Sequence, residues 1–135
     1  VSHLFVDTAG WVACADRSDP AHAKSVACRD ARLRAGAVLL TTDYVIDETL
    51  TLLRLRLGLP AARAWWQRVS SSRRLVAVPV DPELRESAFS WFFRYDDKEF
   101  SFTDCTSFAL MTRENLREAL TTDRHFRQAG FEMLP

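Results

Sequence analysis

The run Ala37-Val38-Leu39-Leu40-Thr41-Thr42-Asp43-Tyr44-Val45-Ile46-Asp47-Glu48, continuing to Gly58, changes its period partway along. Ala37 to Leu40 is a short apolar run of strand length. Thr42 or Asp43 then supplies a helix N-cap. Apolar residues recur at helical spacing to about Leu57, and Gly58 is a helix stop. A buried strand feeding directly into a helix is the repeating unit of an α/β sheet.

The same alternation extends in both directions. On the N-terminal side, His3 to Asp7 reads as a short buried strand and Thr8 to Asp16 as a helix. Ser18-Asp19-Pro20 starts a second helix, Ala21 to Ala35, which Gly36 ends. On the C-terminal side, Pro60 begins a helix through Trp65 and Trp66 to Ser70. Leu75 to Val80 is a strand, and Asp81-Pro82 opens a helix from Glu83 to about Tyr95. Residues 96–101 are polar and carry no period. Thr103 begins a helix to about Glu114, Leu116 to Thr121 is a strand, and residues 124–128 form a helical turn. Gly130 stops that turn before an edge strand, Phe131 to Leu134. No internal repeat, low-complexity stretch or linker interrupts the pattern. The expectation is one domain over residues 1–135, three-layer α/β/α, with a mainly parallel central sheet of four to five strands.

Composition narrows the classes. The chain has 135 residues, 47% hydrophobic and 27% charged, as expected of a soluble globular protein. No apolar run approaches the roughly 20 residues that span a bilayer. No basic-then-apolar leader precedes Asp7, so the expected location is cytoplasmic. Cys14, Cys28 and Cys105 cannot all pair within the chain and form no C-x-x-C motif; they read as reduced thiols. Eighteen basic residues balance eighteen acidic ones, which excludes a globally basic footprint for nucleic acid. Arginine heavily outnumbers lysine, in groups such as Arg29/Arg32/Arg34 and Arg63/Arg68/Arg73/Arg74. Taken singly these arginines read as compositional, since the chain is also rich in alanine and leucine.

Four carboxylates stand at the edges of apolar segments: Asp7, Glu48, Asp104 and Asp123. Asp7 ends the run Leu4-Phe5-Val6; as a simple N-cap it has a better candidate beside it in Thr8. Glu48 has an internal control in Asp47. At 100° per residue, Asp47 shares a face with Asp43, Thr51 and Arg54. Glu48 shares one with Tyr44, Leu52 and Leu55, while Ile46, Leu50, Leu53 and Leu57 lie across the helix. Asp104 aligns with Phe108 and Met111 in the first turn of its helix, where the helix dipole alone favours a carboxylate. Asp123 follows the strand ending at Thr121 and could equally initiate a turn.

Ligands of open parallel sheets bind beyond the carboxyl ends of the strands. That rule tends to bring the four acids together. Two like charges about 4 Å apart repel by roughly 4 kcal/mol at an effective dielectric near 20, so a cluster calls for protonation or a cation. A carboxylate-only set suits Mg²⁺ or Mn²⁺. His3, His22 and His125 do not form a zinc set, and His125 reads as a surface residue or as support behind the ligands. Gly-rich phosphate loops and nucleophile elbows are absent.

The ordered set resembles the PIN-domain ribonucleases, most closely the VapC-like toxins of bacterial toxin–antitoxin pairs. The blocks that carry the resemblance are Leu4-Phe5-Val6-Asp7-Thr8 with Trp11, and Thr41-Thr42-Asp43-Tyr44-Val45-Ile46-Asp47-Glu48-Thr49-Leu50. Phe100-Ser101-Phe102-Thr103-Asp104-Cys105 follows, then Leu120-Thr121-Thr122-Asp123-Arg124-His125-Phe126 and the terminal Gly130-Phe131-Glu132-Met133-Leu134-Pro135. The likeness covers essentially the whole length. It implies an endoribonuclease whose Mg²⁺ or Mn²⁺ is held by Asp7, Glu48, Asp104 and Asp123. Thr8, Thr103 and Ser107 would orient ligands or water behind them. It also implies an RNA substrate, an antitoxin partner and a homodimer, with the apolar surface around Leu52 to Leu59 and Trp65-Trp66 as a candidate interface. Two other readings stay open from the residues alone: a different Mg²⁺-dependent phosphohydrolase using an aspartyl nucleophile, and a non-catalytic binding module on the same scaffold.

Overall fold

The computed structural model describes residues 2–135. In chain order it runs β1 (His3–Val6), α1 (Thr8–Ala15), α2 (His22–Arg34), β2 (Val38–Thr42), α3 (Asp43–Leu57) and α4 (Leu59–Ser71). It continues with β3 (Leu75–Val78), α5 (Pro82–Arg94), α6 (Phe102–Arg113), β4 (Glu118–Leu120), α7 (His125–Gln128) and β5 (Glu132–Leu134). All five strands are parallel, in the order β3-β2-β1-β4-β5. The expected α/β sheet is therefore present, with five strands and no antiparallel member.

β1 lies at the centre, which is why Leu4, Phe5 and Val6 form an unbroken apolar run: all three are fully buried. Phe5 pairs with Leu40 of β2 on one side and with Ala119 of β4 on the other. The chain steps outward from β1 to β2 and β3, then returns to the opposite side of β1 for β4 and β5. Right-handed crossovers put α1 to α4 on one face and α5 to α7 on the other. Aromatic packing follows that division. Trp11 of α1 meets Trp65 of α4 edge-on at 5.6 Å, and Phe108 of α6 meets Phe126 of α7 at 5.0 Å. The strand order reverses at β1 and β4, so their carboxyl ends flank the crevice where α/β sheets bind ligands.

α1 presses hard on that seam. A Cβ on Gly10 would stand 2.1 Å from the Leu120 carbonyl oxygen and 3.2 Å from Val6 Cγ1. Only glycine permits this approach, and it draws the start of α1 onto the ends of β1 and β4. Helix starts follow the expected chemistry elsewhere: Thr42 Oγ1 accepts the Val45 N–H at 3.1 Å, and Asp81 accepts that of Leu84 at 2.8 Å.

Three local expectations need correction. β3 ends at Val78, not Val80. The Val80 N–H donates to Asp43 Oδ1 at 2.9 Å, so α3 holds that residue in place of a ladder partner. Thr8 is the first helical residue of α1, and Asp7 takes the N-cap position without a capping bond from its side chain. The α6 face shared by Asp104, Phe108 and Met111 distinguishes nothing, because every residue from Asp104 to Met111 is buried. All three cysteines are free; burial pushes the Cys105 thiol up to about 12, with Asp104 adding to it. Among the described residues no helix is long and apolar enough to cross a membrane.

Candidate active site

β1 delivers Asp7 to the seam, where the residue is 3% exposed. Its Oδ2 accepts the Thr121 hydroxyl at 3.0 Å, just past the end of β4. Burial pushes the Asp7 carboxyl up from 3.8 to about 7 and Asp104 adds to the rise. The Thr8 backbone N–H and the Thr121 hydroxyl oppose it, and Asp123 contributes a further small increase. A buried carboxylate shifted this far, with other acids as cause, marks a functional-site candidate.

Asp104 comes from the start of α6. Ser101 Oγ accepts the Asp104 N–H at 3.0 Å, and Asp104 Oδ2 accepts the Ser101 N–H at 3.1 Å, a reciprocal capping box. The helix-start explanation is thus realised, yet it does not account for the whole residue. Burial raises the Asp104 carboxyl to about 6; the Ser101 N–H opposes this, Asp123 raises it further, and His125 lowers it. A capping carboxylate on an open surface would be lowered instead.

Asp123 sits in the turn after β4. Its N–H donates to Thr121 Oγ1 at 3.0 Å, and its Oδ1 accepts the His125 N–H at 3.0 Å. The His125 ring turns back onto the acids, with Nδ1 2.8 Å from Asp123 Oδ1 and 3.6 Å from Asp104 Oδ2. One ligand atom from each of Asp104, Asp123 and His125 lies within 4.8 Å of the others.

Glu48 and Asp47 separate as the helical wheel predicts: Asp47 is exposed, while Glu48 is half-buried and lines a cleft with Asp7, Thr8 and Asp123. The cleft holds about 260 Å³. The stripe drawn through Glu48 was misplaced, however. The buried face of α3 is centred on Val45, Thr49 and Leu53, between the two apolar stripes read from the sequence. Glu48 stands at its flank. Leu55, on the same side as Glu48, is 76% exposed, and Leu57 is also exposed.

The structure thus gathers Asp7, Glu48 and Asp123 on one cleft. Asp104 joins them through Asp123 and His125. Thr8 lines the same cleft, and its buried Oγ1 has no hydrogen-bond partner among the described residues. The Thr103 carbonyl accepts the hydroxyls of Thr106 at 2.6 Å and Ser107 at 3.2 Å, so the Ser107 hydroxyl is engaged by its own helix.

Two residues here escaped the sequence reading, Thr121 and Arg56. Thr121 bridges Asp7 and Asp123; its signal was a polar residue directly after the buried pair Ala119-Leu120 and two before an aspartate. His125, read from the sequence as a surface residue or as support behind the ligands, stands with its ring against Asp123 and Asp104. Its signal was its place two residues after Asp123, within reach of a turn. Arg56, eight residues after Glu48, also lines the cleft.

Comparison with known proteins gives the family and relatives of the same fold. The family model described as PIN domain matches residues 4–132. The 23S rRNA-specific endonuclease VapC20 of Mycobacterium tuberculosis is 38% identical over 131 residues, 95% of each chain. The crystal structure of that organism's VapC20, a sarcin–ricin loop cleaving toxin, superposes with a TM-score of 0.84 at 36% identity. The match covers 98% of this chain and 99% of that one. VapBC2 of Rickettsia felis shares the fold at a TM-score of 0.74 and 9% identity, over 97% of this chain and 96% of that one.

Proposed function

The chain belongs to the PIN domain family, and from that premise we propose that it is a divalent-cation-dependent endoribonuclease, the toxin of a toxin–antitoxin pair. The carrying observation is the convergence of Asp7, Asp104 and Asp123 at one strand seam, with two of the three pushed toward neutrality. Such a cluster is unfavourable in the metal-free protein and is relieved by a hard cation.

The residues present fit Mg²⁺ or Mn²⁺. Carboxylate oxygens dominate the set, and the unpartnered Thr8 hydroxyl is a buried polar atom that a bound water could satisfy. Asp7, Glu48, Asp104 and Asp123 would hold the ion. Bound there, a divalent cation supplies an activated water and neutralises charge on the phosphate. The remaining work belongs to the chain. Thr121 fixes Asp7 through Oδ2 and the turn carrying Asp123. Ser101 fixes Asp104 through its capping box. His125 orients Asp123, Thr8 lines the cleft beside Asp7, and Thr103 remains a candidate to orient a ligand or water, while the Ser107 hydroxyl is bonded to its own helix. Such supporting contacts typically govern metal affinity and activity by about 10–100-fold.

RNA is the proposed substrate, with 23S rRNA the first to test, because the relative named above cleaves it. A cytoplasmic location is proposed with that substrate. The partners are an antitoxin and a second copy of this chain. Two separate apolar surfaces are available to them: Leu55, Leu57, Leu59 and Trp66 on α3 and α4, and Phe89, Phe92 and Phe93 on α5. Each carries large side chains with 40% or more of their surface exposed. Sedimentation across a concentration series tests self-association; a monomer at every concentration opposes it.

The functional test is incubation of the purified chain with total RNA, with Mg²⁺ or Mn²⁺ and with a chelator, followed by mapping of cut ends. Discrete cuts that require the metal support the reading. Intact RNA under every condition, or cutting that persists with chelator, overturns it.

A further inference from the structure

The cleft that gathers the acids also contains one cation, Arg56. It lies in the last turn of α3, and Glu48, Leu52 and Arg56 follow one another at i, i+4 and i+8 along the cleft. Arg54, in the same turn, lies 200° away around the helix and does not line the cleft. Both arginines complement the helix dipole; only one of them faces the acids.

An arginine beside several carboxylates ordinarily pairs with one. Arg56 is exposed, and its side chain makes no ion pair or hydrogen bond among the described residues. The aspartates around the cleft have other partners, and Glu48, itself unpaired among the described residues, stands two turns back along the same helix, about 12 Å by helical rise. Asp16 is close enough to feel the Arg56 charge, but its Oδ1 accepts the Ser18 N–H at 2.9 Å and the Ser18 hydroxyl at 2.6 Å. Asp19, also on the cleft, accepts the Ala21 N–H at 2.8 Å. Asp7, Asp104 and Asp123 are occupied with Thr121, Ser101 and His125. The guanidinium is left with its donors free.

A polyanionic strand approaching an acid-lined cleft is repelled, and a chain of zero net charge offers no long-range attraction to offset this. A local cation offsets that repulsion at close range. A guanidinium suits that task, because its planar fork matches two phosphate oxygens at once.

We propose that Arg56 is a substrate-binding residue that grips a backbone phosphate of the RNA strand lying across the acid cleft, an inference that rests on the nuclease reading above. Its contribution is to substrate affinity and not to the chemical step. It is the counterweight to Glu48 on the same helix face, one side chain drawing in the phosphate that the other repels.

The test is steady-state cleavage of a short single-stranded RNA in Mn²⁺ by wild type, Arg56→Ala, Arg56→Lys and Arg54→Ala. Loss of a charge-assisted phosphate contact raises KM by about ten- to hundredfold. Arg56→Ala is expected to show that rise with kcat within about twofold of wild type, Arg56→Lys to recover part of it, and Arg54→Ala to match wild type. Binding of the same RNA without metal, measured by fluorescence anisotropy against salt, gives a second readout. The log–log slope for Arg56→Ala falls by about 0.7, the value for one phosphate contact on a single strand. An unchanged KM and slope in Arg56→Ala overturn the proposal. So does an equal loss in Arg54→Ala, which would make the effect one of bulk charge. Wild-type protein that cuts no RNA overturns the nuclease reading instead, and the metal-free slope then decides on Arg56 separately.

Discussion

Thr121 donates its hydroxyl to Asp7 Oδ2 at 3.0 Å and accepts the Asp123 N–H at the same distance. One short side chain therefore ties the Asp7 carboxylate to the backbone of the turn that carries Asp123, nearly the whole sequence away. It does so where β1 and β4 lie side by side, so the geometry of the site depends on the register of those two strands.

Thr121→Val keeps the shape and removes both bonds. Each buried polar group left without a partner costs about 1–3 kcal/mol, so denaturant unfolding should show a loss of that order. Thr121→Ser should unfold close to wild type. RNA cleavage should follow the same order, with Val impaired and Ser retained.

Gly10→Ala should destabilise the fold without touching any acid. The added Cβ would stand 2.1 Å from a backbone oxygen, that of Leu120, which no rotamer change can move. Overpacking of this kind costs about 1–3 kcal/mol, and an immovable backbone obstacle puts this case at the upper end. Thermal unfolding checks it; an unchanged melting temperature would mean that α1 does not press on the seam.

Metal-free protein should lose stability as pH rises from about 4 to about 7. Asp7 and Asp104 are raised in the folded state, to about 7 and about 6, by burial first and by neighbouring carboxylates as well. A raised acid contributes stability that is complete below its unfolded value near 3.8 and lost as pH climbs through the folded value. Asp7→Asn should flatten that dependence and stabilise the metal-free protein at the alkaline end. Saturating Mn²⁺ should reverse the trend, because binding requires ionised ligands. Denaturant midpoints at several pH values, with and without Mn²⁺, decide the matter.

Glu48→Gln and Asp47→Asn remove one charge each from adjacent positions on α3. Only Glu48 lines the cleft; Asp47 is exposed. Cleavage should fall by about tenfold or more for Glu48→Gln and stay at the wild-type rate for Asp47→Asn. Equal effects would remove Glu48 from the site.

Much of this was legible in the residues. Strand-then-helix punctuation at Thr42, Gly58 and Asp81-Pro82 identified the layered sheet, because caps and stops act locally. Asp47 and Glu48 were separable because 100° of helical rotation is a local property too. What escaped depended on contacts between distant segments. Thr121 has no meaning until β4 lies beside β1, and the ring of His125 meets Asp104 only after α6 packs on α7. The α3 stripe was misplaced because Leu55 and Leu57 are apolar yet exposed, so hydrophobicity pointed to a face that packing leaves open. Gly10 carries no signal of its own in the sequence, because the Leu120 carbonyl that leaves no room for a Cβ there belongs to a distant strand.

The most direct test is single-turnover RNA cleavage as Mn²⁺ is titrated, comparing wild type with Asp104→Asn after circular dichroism shows both to be folded. The acids are expected to act as one cation site, so wild-type cleavage should saturate with Mn²⁺. Asp104→Asn should fall by at least about a hundredfold at every concentration, since disturbing even the supporting contacts of a metal site costs about 10–100-fold. A folded Asp104→Asn protein that cleaves at the wild-type rate, or wild-type cleavage indifferent to Mn²⁺, would contradict the account.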